Sequence, residues 1–232
     1  YRDMTHHGGI LSTFWANWSD MQVKTVQYGL GERGPKSVVT GELVCGDETL
    51  PEEELAKNRC DFGDEIFEHP LDDSYHRERS ADWDKITTPL LTAANWGGQG
   101  LHLRGNFEGY VRAASKNKWL EGHGLEHWTE FYTAYGIELQ KRFFGHFLKG
   151  EDTGWDKQPP VQLLVRHLDR FEKRLEEDWP IPRTIWTKFY LDPDGMRLTD
   201  AAPTSSATLS FDALGDGLTF MSDPLASETE IT

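Results

Sequence analysis

Hydrophobic and polar positions alternate in long blocks through the centre of the chain. The apolar run I-T-T-P-L-L-T-A-A at 86–94 is bounded by chain-breaking residues, which predicts a buried strand. Shorter apolar runs predict two more strands, over 118–121 and 161–166. A helix is predicted between the first two, over 107–115. This order of strands and helices is typical of an α/β fold.

The strongest helical pattern follows the second of these strands. Large apolar residues recur every four positions, which predicts one continuous helix over 129–148 ended by Gly150: Phe131, Tyr135, Leu139, Phe143 and Phe147. The charged segment 171–178 predicts a helical turn that the following W-P-I-P ends.

The two ends of the chain have different patterns. The first twenty residues are aromatic and predict a loop and a short helix. Residues 21–80 are polar, acidic and rich in turn residues, and P-E-E-E-L at 51–55 predicts the start of a helix. We therefore predict a helical cap over about 1–80. Beyond 184, short β-prone runs separated by D-P-D-G and similar clusters predict a small β domain, with a boundary near Pro182.

Composition excludes several classes of function. The formal net charge is −15, from 24 basic and 39 acidic residues, which argues against nucleic-acid binding and against docking on anionic membranes. No apolar run reaches the length of a membrane span. The two cysteines form neither a disulfide framework nor a metal-binding pair, so we expect a cytoplasmic protein. Nine tryptophans predict an aromatic core or an aromatic pocket.

The segment W-L-E-G-H-G-L-E-H-W at 119–128 is the first candidate for chemistry. A histidine that follows a strand can present its imidazole at the carboxyl edge of a sheet and transfer protons near neutral pH. The alternative is a loop histidine bonded to backbone. The same segment contains H-x-x-E-H, a zinc-peptidase pattern, at His123, Glu126 and His127. Zinc binding there requires one continuous helix, which Gly122 and Gly124 disfavour.

Two other segments are weaker candidates. The sequence N-W-G-G-Q-G at 95–100 is either a tight turn beside a ligand or an ordinary strand-to-helix turn. It lacks the G-K-[ST] ending of a phosphate loop. The aromatic residues Phe14, Trp15 and Trp18 either line a pocket for an apolar group or pack in a core.

Several of these segments together resemble the cocaine-esterase and X-Pro dipeptidyl-peptidase family of α/β hydrolases. The similarity keeps its order along nearly the whole chain. The matching segments are Y-R-D and H-G-G-I-L at the start, R-E-R-S-A-D-W-D-K-I-T-T-P-L-L, N-W-G-G-Q-G-L-H-L-R-G-N, K-W-L-E-G-H-G-L-E-H-W-T-E-F-Y, Q-K-R-F-F-G-H-F-L-K-G and W-P-I-P-R-T-I-W-T-K-F-Y-L.

The resemblance implies the C-terminal half of an α/β-hydrolase domain with cap residues over 1–182, followed by the start of a jelly-roll β-sandwich over 183–232. It implies hydrolysis of esters or amides through a serine acyl-enzyme, without a cofactor or a metal. The sequence has no G-x-S-x-G. We therefore expect the nucleophile in a missing N-terminal half of the same polypeptide, and we expect the chain alone to be inactive.

The resemblance also suggests individual residues. It implies His127 as the catalytic histidine, with His123 second, and it suggests Trp15 and Trp96 near the pocket for a small ester or peptide substrate. Gly98 stands where the family's G-W-x-D pattern has its acid, so Glu108 or another acid is expected to substitute, or the triad is incomplete. Two other functions stay open: a zinc-dependent peptidase using His123, Glu126 and His127, and a non-catalytic β-sandwich binding module.

Overall fold

The computed structural model describes residues 1–2, 4–98 and 102–231. The chain forms two compact units, Tyr1–Glu176 and Glu177–Thr232. We describe each of them by itself.

The first part of the larger unit is mostly helical. Trp15, Ile66 and Tyr75 form one small buried cluster there, and Leu30, Cys45 and Leu55 form another. A helix does begin after Pro51, as the sequence predicts. The elements are β1 (His6–His7), β2 (Ile10–Leu11), α1 (Phe14–Thr25), α2 (Glu52–Lys57), α3 (Phe62–Glu68) and α4 (Ser74–Glu78).

The rest of this unit is a four-stranded sheet with helices on its two faces. The strand order is β3-β4-β5-β6. The first three strands are parallel and β6 is antiparallel to β5, so the unit is a mixed α/β structure. Its elements are β3 (Leu90–Asn95), α5 (Leu103–Arg112), β4 (Lys118–His123), α6 (His127–Tyr132), α7 (Ala134–Lys149), β5 (Val161–Arg166) and β6 (Phe171–Glu176).

Alternate residues of β4 face opposite sides of the sheet, as the two-residue period of a strand requires. Trp119 packs on the side of α7 against Phe143 and Trp155. Gly122 lies on the other side, where a Cβ would meet Trp96 at 3.3 Å and Phe107 of α5 at 3.8 Å. Glu121 and His123 therefore share the α7 side with Trp119.

The predicted helix over 129–148 is wrong in its continuity, because the structure has two helices there. Thr133 has extended backbone angles, φ −67° and ψ 160°, which end α6. Its side-chain oxygen then accepts a hydrogen bond from the Gly136 amide at 3.0 Å and caps α7. Gly150, in the left-handed conformation, ends α7 as predicted.

The helical turn predicted over 171–178 is also wrong. Residues Phe171–Glu176 form β6, which pairs with β5 along its whole length. Its charged side chains suit its position at the end of the strand order, since charged residues on an edge strand discourage pairing with other chains. The charged residues of this segment therefore reflect an edge strand, whereas the sequence alone predicts a solvated helix.

The smaller unit contains one antiparallel pair, β7 (Tyr190–Asp192) and β8 (Arg197–Thr199), and Arg197 also bridges to Met221. The sequence predicts strands in the β-prone runs at 207–211 and 217–221, but neither run forms a strand, and within them Met221 makes only the isolated bridge to Arg197. Most of their side chains are exposed, so they lack the packing that favours extended pairing. Among the described residues, no helix is both long and apolar enough to cross a bilayer.

Candidate active site

The carboxyl ends of β3 and β4 lie side by side. Asn95, the last residue of β3, is paired in register with His123, the last residue of β4. The Trp96 amide continues the ladder by donating to the His123 carbonyl at 2.9 Å. Ligands of α/β proteins bind at the carboxyl ends of parallel strands. This edge is therefore where chemistry is expected.

His123 is paired with a carboxylate at this edge. Its Nδ1 lies 2.7 Å from Oε2 of Glu121, and the two residues are only 2% and 3% exposed. A carboxylate oxygen can only accept a hydrogen bond, so Nδ1–H is the donor in this contact and Nε2 carries a lone pair. Nε2 is enclosed and has no hydrogen-bond partner among the described residues.

Glu121 is itself held from the α7 side. The Tyr135 hydroxyl lies 3.4 Å from Oε1 of Glu121, and the Gln162 amide donates to the same hydroxyl. Burial, and next the charge of Glu121, raise the pKa of Tyr135, so the phenol stays protonated and can donate to the carboxylate. Three elements, β4, β5 and α7, thus fix one carboxylate.

Glu130 of α6 adds a second carboxyl group to this region. It is 8% exposed, and burial raises its pKa, with the charge of Glu121 acting in the same direction and His123 opposing. The Glu130 side chain therefore lies buried within the same unit as Glu121 and His123.

His127 has different surroundings. It is the first residue of α6 and is exposed. Its ring meets that of His102 edge-on, with centroids 4.7 Å apart, and that of Trp128 at 4.6 Å. Burial, and next the nearby His127, lower the pKa of His102, which keeps His102 neutral near pH 7. His127 is thus open to a substrate, and its described ring contacts are with an imidazole and an indole.

The turn N-W-G-G explains locally why position 98 carries no side chain. The Gly98 amide donates to the Asn95 carbonyl at 3.0 Å, which folds the turn back on β3. A Cβ at Gly98 would lie 3.0 Å from Cγ of Asn95 and would overlap its Oδ1. Gln99 and Gly100, the end of the predicted turn motif, lie outside the described residues. Glu108, the suggested substitute acid, lies in α5 and pairs with Arg104 at 3.0 Å.

The two candidate substrate residues pack within the fold. Trp15 lies in the cluster with Ile66 and Tyr75, and its indole N–H donates to the Met4 carbonyl. Trp96 packs against Phe107 in a tilted arrangement, with centroids 5.4 Å apart, and its N–H donates to the Leu164 carbonyl at 2.7 Å. Trp96 directly follows Asn95, so it lies at the same sheet edge as His123. A substrate role for either tryptophan stays a prediction.

The H-x-x-E-H residues are not arranged as in a zinc-peptidase helix. His123 ends β4 and His127 begins α6, with Glu126 between them as the cap residue of α6. The two imidazoles therefore do not share one helical face, which that type of site requires. No group of three or more potential metal ligands occurs in the part of the chain that the structure describes.

Sequence reasoning missed Glu121 and Tyr135. A usable signal existed, because Glu121 interrupts an apolar strand at a position two residues before a histidine. A charged residue in such a strand is expected to be paired, and a strand's two-residue period puts Glu121 and His123 on one face.

Comparisons with known proteins agree with this architecture. No family model matches the chain. The chain is 30% identical to the cocaine esterase of Rhodococcus sp. (strain MB1 Bresler) in an alignment 179 positions long, which covers 69% of this chain and 30% of the esterase. The chain belongs to the family of cocaine esterase and the CocE/NonD hydrolases.

Solved structures support the same assignment. A CocE/NonD family hydrolase from Staphylococcus aureus superposes with a TM-score of 0.67 and 33% identity, over 87% of this chain and 32% of that one. A second structure of the same Staphylococcus aureus protein, at 1.95 Å resolution, gives a TM-score of 0.63 and 32% identity with the same coverage. The chain thus spans about a third of the length of these relatives.

Proposed function

We propose that this chain is part of a serine hydrolase that cleaves ester or amide bonds through an acyl-enzyme. The observation that carries the proposal is the histidine-bearing segment at the carboxyl end of β4, with the carboxylate of Glu121 bonded to His123. Family membership supports the same reaction class. A small ester or peptide is the proposed substrate.

The chemistry needs three parts, of which this chain supplies one. A serine attacks the carbonyl carbon, a histidine takes the serine proton and later gives it to the leaving group, and backbone N–H groups hold the oxyanion. The sequence has no G-x-S-x-G. We therefore place the serine and the oxyanion donors in polypeptide outside these 232 residues. No step requires a cofactor.

The proposed base comes from the segment that joins β4 to α6. His127 is the residue that the sequence favours, and its exposed position at the start of α6 supports it. His123 is the second choice, and its bond to Glu121 supports it. Trp96 beside this edge, and Trp15 in the cap, are the proposed aromatic residues near the substrate.

Two features of the architecture belong to the same proposal. Residues 1–182 would form the hydrolase domain with its cap over about 1–80, and 183–232 would begin a jelly-roll sandwich. The short β7–β8 pair supports a β-type C-terminal domain.

The test compares this chain with the product of the full reading frame that contains it. The longer polypeptide should hydrolyse a p-nitrophenyl ester, and a fluorophosphonate should abolish the activity. The 232-residue chain should do neither. Ligand binding without turnover in the longer polypeptide would instead favour a non-catalytic binding module. Fluorophosphonate labelling of the chain itself would show that the nucleophile was misplaced.

A further inference from the structure

We propose that Glu121 and His123 form the carboxylate–imidazole pair of this site, in which Glu121 positions the base. Glu121 would then replace the acid of the family's G-W-x-D pattern, because Gly98 stands at the position of that acid. The inference rests on the proposed hydrolase function. It assigns a role to Glu121, and it selects His123 over His127 as the base.

The geometry of the Glu121–His123 pair is that of a base and the carboxylate that orients it. A base in acyl transfer needs a carboxylate on one ring nitrogen, to fix the tautomer, and a free lone pair on the other. His123 has both, with Glu121 Oε2 at 2.7 Å from Nδ1 and an unpartnered Nε2 among the described residues. The described ring contacts of His127 are with His102 and Trp128 instead.

A second enclosed acceptor atom, Oδ1 of Asn95, lies at the end of the neighbouring strand β3. Oδ1 of Asn95 is also buried and lacks a hydrogen-bond partner among the described residues. Asn95 and His123 are register partners on adjacent parallel strands, so their side chains leave the same face of the sheet. Both unpartnered atoms are acceptors. A water molecule, such as the one that later attacks the acyl-enzyme, has two O–H groups and can donate to both, whereas a serine hydroxyl has one and would donate to Nε2 alone.

Leaving Nε2 of His123 without a hydrogen-bond partner has a cost in free energy. A buried polar atom without a partner costs on the order of 1–3 kcal/mol, so a purely structural Glu–His pair would be expected to satisfy both ring nitrogens. Here the carboxylate side is bonded twice, through His123 and Tyr135, while Nε2 has no described partner. The arrangement fits an acceptor that is kept for a group outside the described residues.

In the proposed acyl transfer, His123 acts as the base and then as the acid. The hydroxyl oxygen forms a bond to the carbonyl carbon, its proton moves to Nε2 of His123, and the carbonyl electron pair moves onto oxygen. On collapse that electron pair re-forms the carbonyl, the bond to the leaving group breaks, and the leaving group takes the proton from Nε2. Glu121 stays ionised throughout and stabilises the imidazolium.

The first test measures the tautomer of His123 directly and needs no activity assay. In ¹⁵N-labelled 232-residue chain at neutral pH, His123 should show a protonated Nδ1 and an unprotonated Nε2 in long-range ¹H–¹⁵N spectra. The variant E121Q should lose this single-tautomer signature, while E138Q, on the exposed face of α7, should keep it. An Nε2-protonated His123 in the wild-type chain would overturn the proposal.

The second test uses the product of the full reading frame. E121Q should lower kcat by about 10²–10⁴-fold with KM changed less than about threefold, as expected when an orienting carboxylate is lost. E121D should recover part of kcat, and H123Q should be at least as severe as E121Q. Far-UV circular dichroism and a melting curve of each variant check that it is folded.

The outcomes separate this inference from the proposed function. If the wild-type polypeptide has ester turnover, E121Q is near normal and H127A is inactive, the Glu121–His123 role is wrong and the hydrolase proposal stands. If the wild-type polypeptide has neither turnover nor fluorophosphonate labelling, the hydrolase proposal fails, and the catalytic role of the pair fails with it.

Discussion

Asn95 and Gly98 share one small space at the end of β3. The Asn95 amide occupies the volume that a Cβ at position 98 would need. Because Asn95 is almost completely buried, it cannot move aside without disturbing its neighbours. The absence of an acid at position 98 is therefore coupled to the side chain three residues earlier.

This coupling predicts a non-additive pair of substitutions. Gly98→Ala should destabilise the chain by about 1–3 kcal/mol, the usual cost of forcing extra volume into a packed site. In an Asn95→Ala background the same substitution should cost less than about 1 kcal/mol, because the overlapping amide is gone. Chemical denaturation of the four proteins gives the interaction free energy.

Gly97→Ala is the matched control for that cycle. A Cβ at Gly97 would lie 3.8 Å from Nδ2 of Asn95, an ordinary contact. Its effect should be small in either background. Equal costs for Gly98→Ala with and without the Asn95 side chain would contradict the coupling.

At the level of single residues, the sequence drew attention to a segment that lies at the carboxyl end of β4, but it did not predict the contacts of its side chains. Residue type and glycine framing marked the stretch containing His123 and His127. The bond from His123 to Glu121 depends on where β4 ends. Predicting β4 to stop at Glu121 removed His123 from the strand, and with it the argument that the two residues share a face. The contact with Tyr135 required knowing that α7 packs on that face.

Among the elements, the boundary between α6 and α7 depends on a close backbone approach. A Cβ at Gly136 would overlap the carbonyl oxygen of Glu130 and lie 3.0 Å from its carbon. Neither atom can rotate away, since both belong to the backbone of α6. The angle between the two helices therefore requires glycine at this position.

We expect Gly136→Ala to be strongly destabilising, by about 2 kcal/mol or more, because α6 and α7 must separate. Gly105→Ala in α5 is the control, because among the described residues no atom outside its chain neighbours and its own helix backbone lies within 4 Å of its Cβ position. That substitution should stabilise the chain by about 0.5–1 kcal/mol through helix propensity. Thermal melting of the two variants should move in opposite directions. A stabilising Gly136→Ala would mean that the two helices form one.

The continuous helix predicted from sequence failed at this boundary for a definable reason. Phe131 and Tyr135 are four residues apart, as in one helix, although Thr133 lies between them in extended conformation. The spacing of apolar residues along the sequence stays the same whether or not one residue between them is extended. A helix break at Thr133 therefore leaves no trace in that spacing. The cap at Thr133 and the close approach at Gly136 both depend on the extended backbone of Thr133, which the apolar spacing does not show, whereas the stop at Gly150 was predicted correctly.

Glu130 gives a pH-dependent prediction for α6. Burial raises its pKa above the ordinary value of 4.5, so the unfolded chain loses this proton at lower pH than the folded chain does. The stability contributed by the neutral carboxyl is therefore complete below pH 4.5 and is lost as pH rises through the folded pKa. Glu130→Gln should raise stability at pH 7 by an amount on the order of 1 kcal/mol.

The measurement is the melting temperature of wild type and Glu130→Gln at pH 4 and pH 7. The difference between the two proteins should be larger at pH 7. Glu138→Gln, on the exposed surface of α7, should show little difference at either pH. A gain for Glu130→Gln that is confined to pH 4 would reverse the predicted sign.

For the whole molecule, sequence order predicted the mixed α/β unit but not its last strand. The parallel strands β3, β4 and β5 follow from buried apolar runs separated by helices. The antiparallel β6 does not, because its charged residues reflect an edge position that only the assembled sheet defines. The same limit applies to the C-terminal unit, where β-prone residues form strands only when partners are present.

The two units should therefore differ sharply in hydrogen exchange. In the 232-residue chain, amides of β4 should exchange slowly, because β4 is paired on both sides and its residues 120–123 are buried. Amides of 204–220 should exchange within the shortest labelling time, since no strand or helix is assigned there. An isolated pair of three-residue strands such as β7 and β8 is marginally stable, so its amides should exchange at an intermediate rate.

In the product of the full reading frame, the proposed jelly roll would supply partner strands, so peptides from 204–220 should become protected while β4 changes little. Exchange of unfolded protein in denaturant supplies the reference rate for each peptide. Slow exchange of 204–220 in the 232-residue chain would contradict the described fold of the C-terminal unit, and fast exchange of the same peptides in the longer polypeptide would contradict the sandwich.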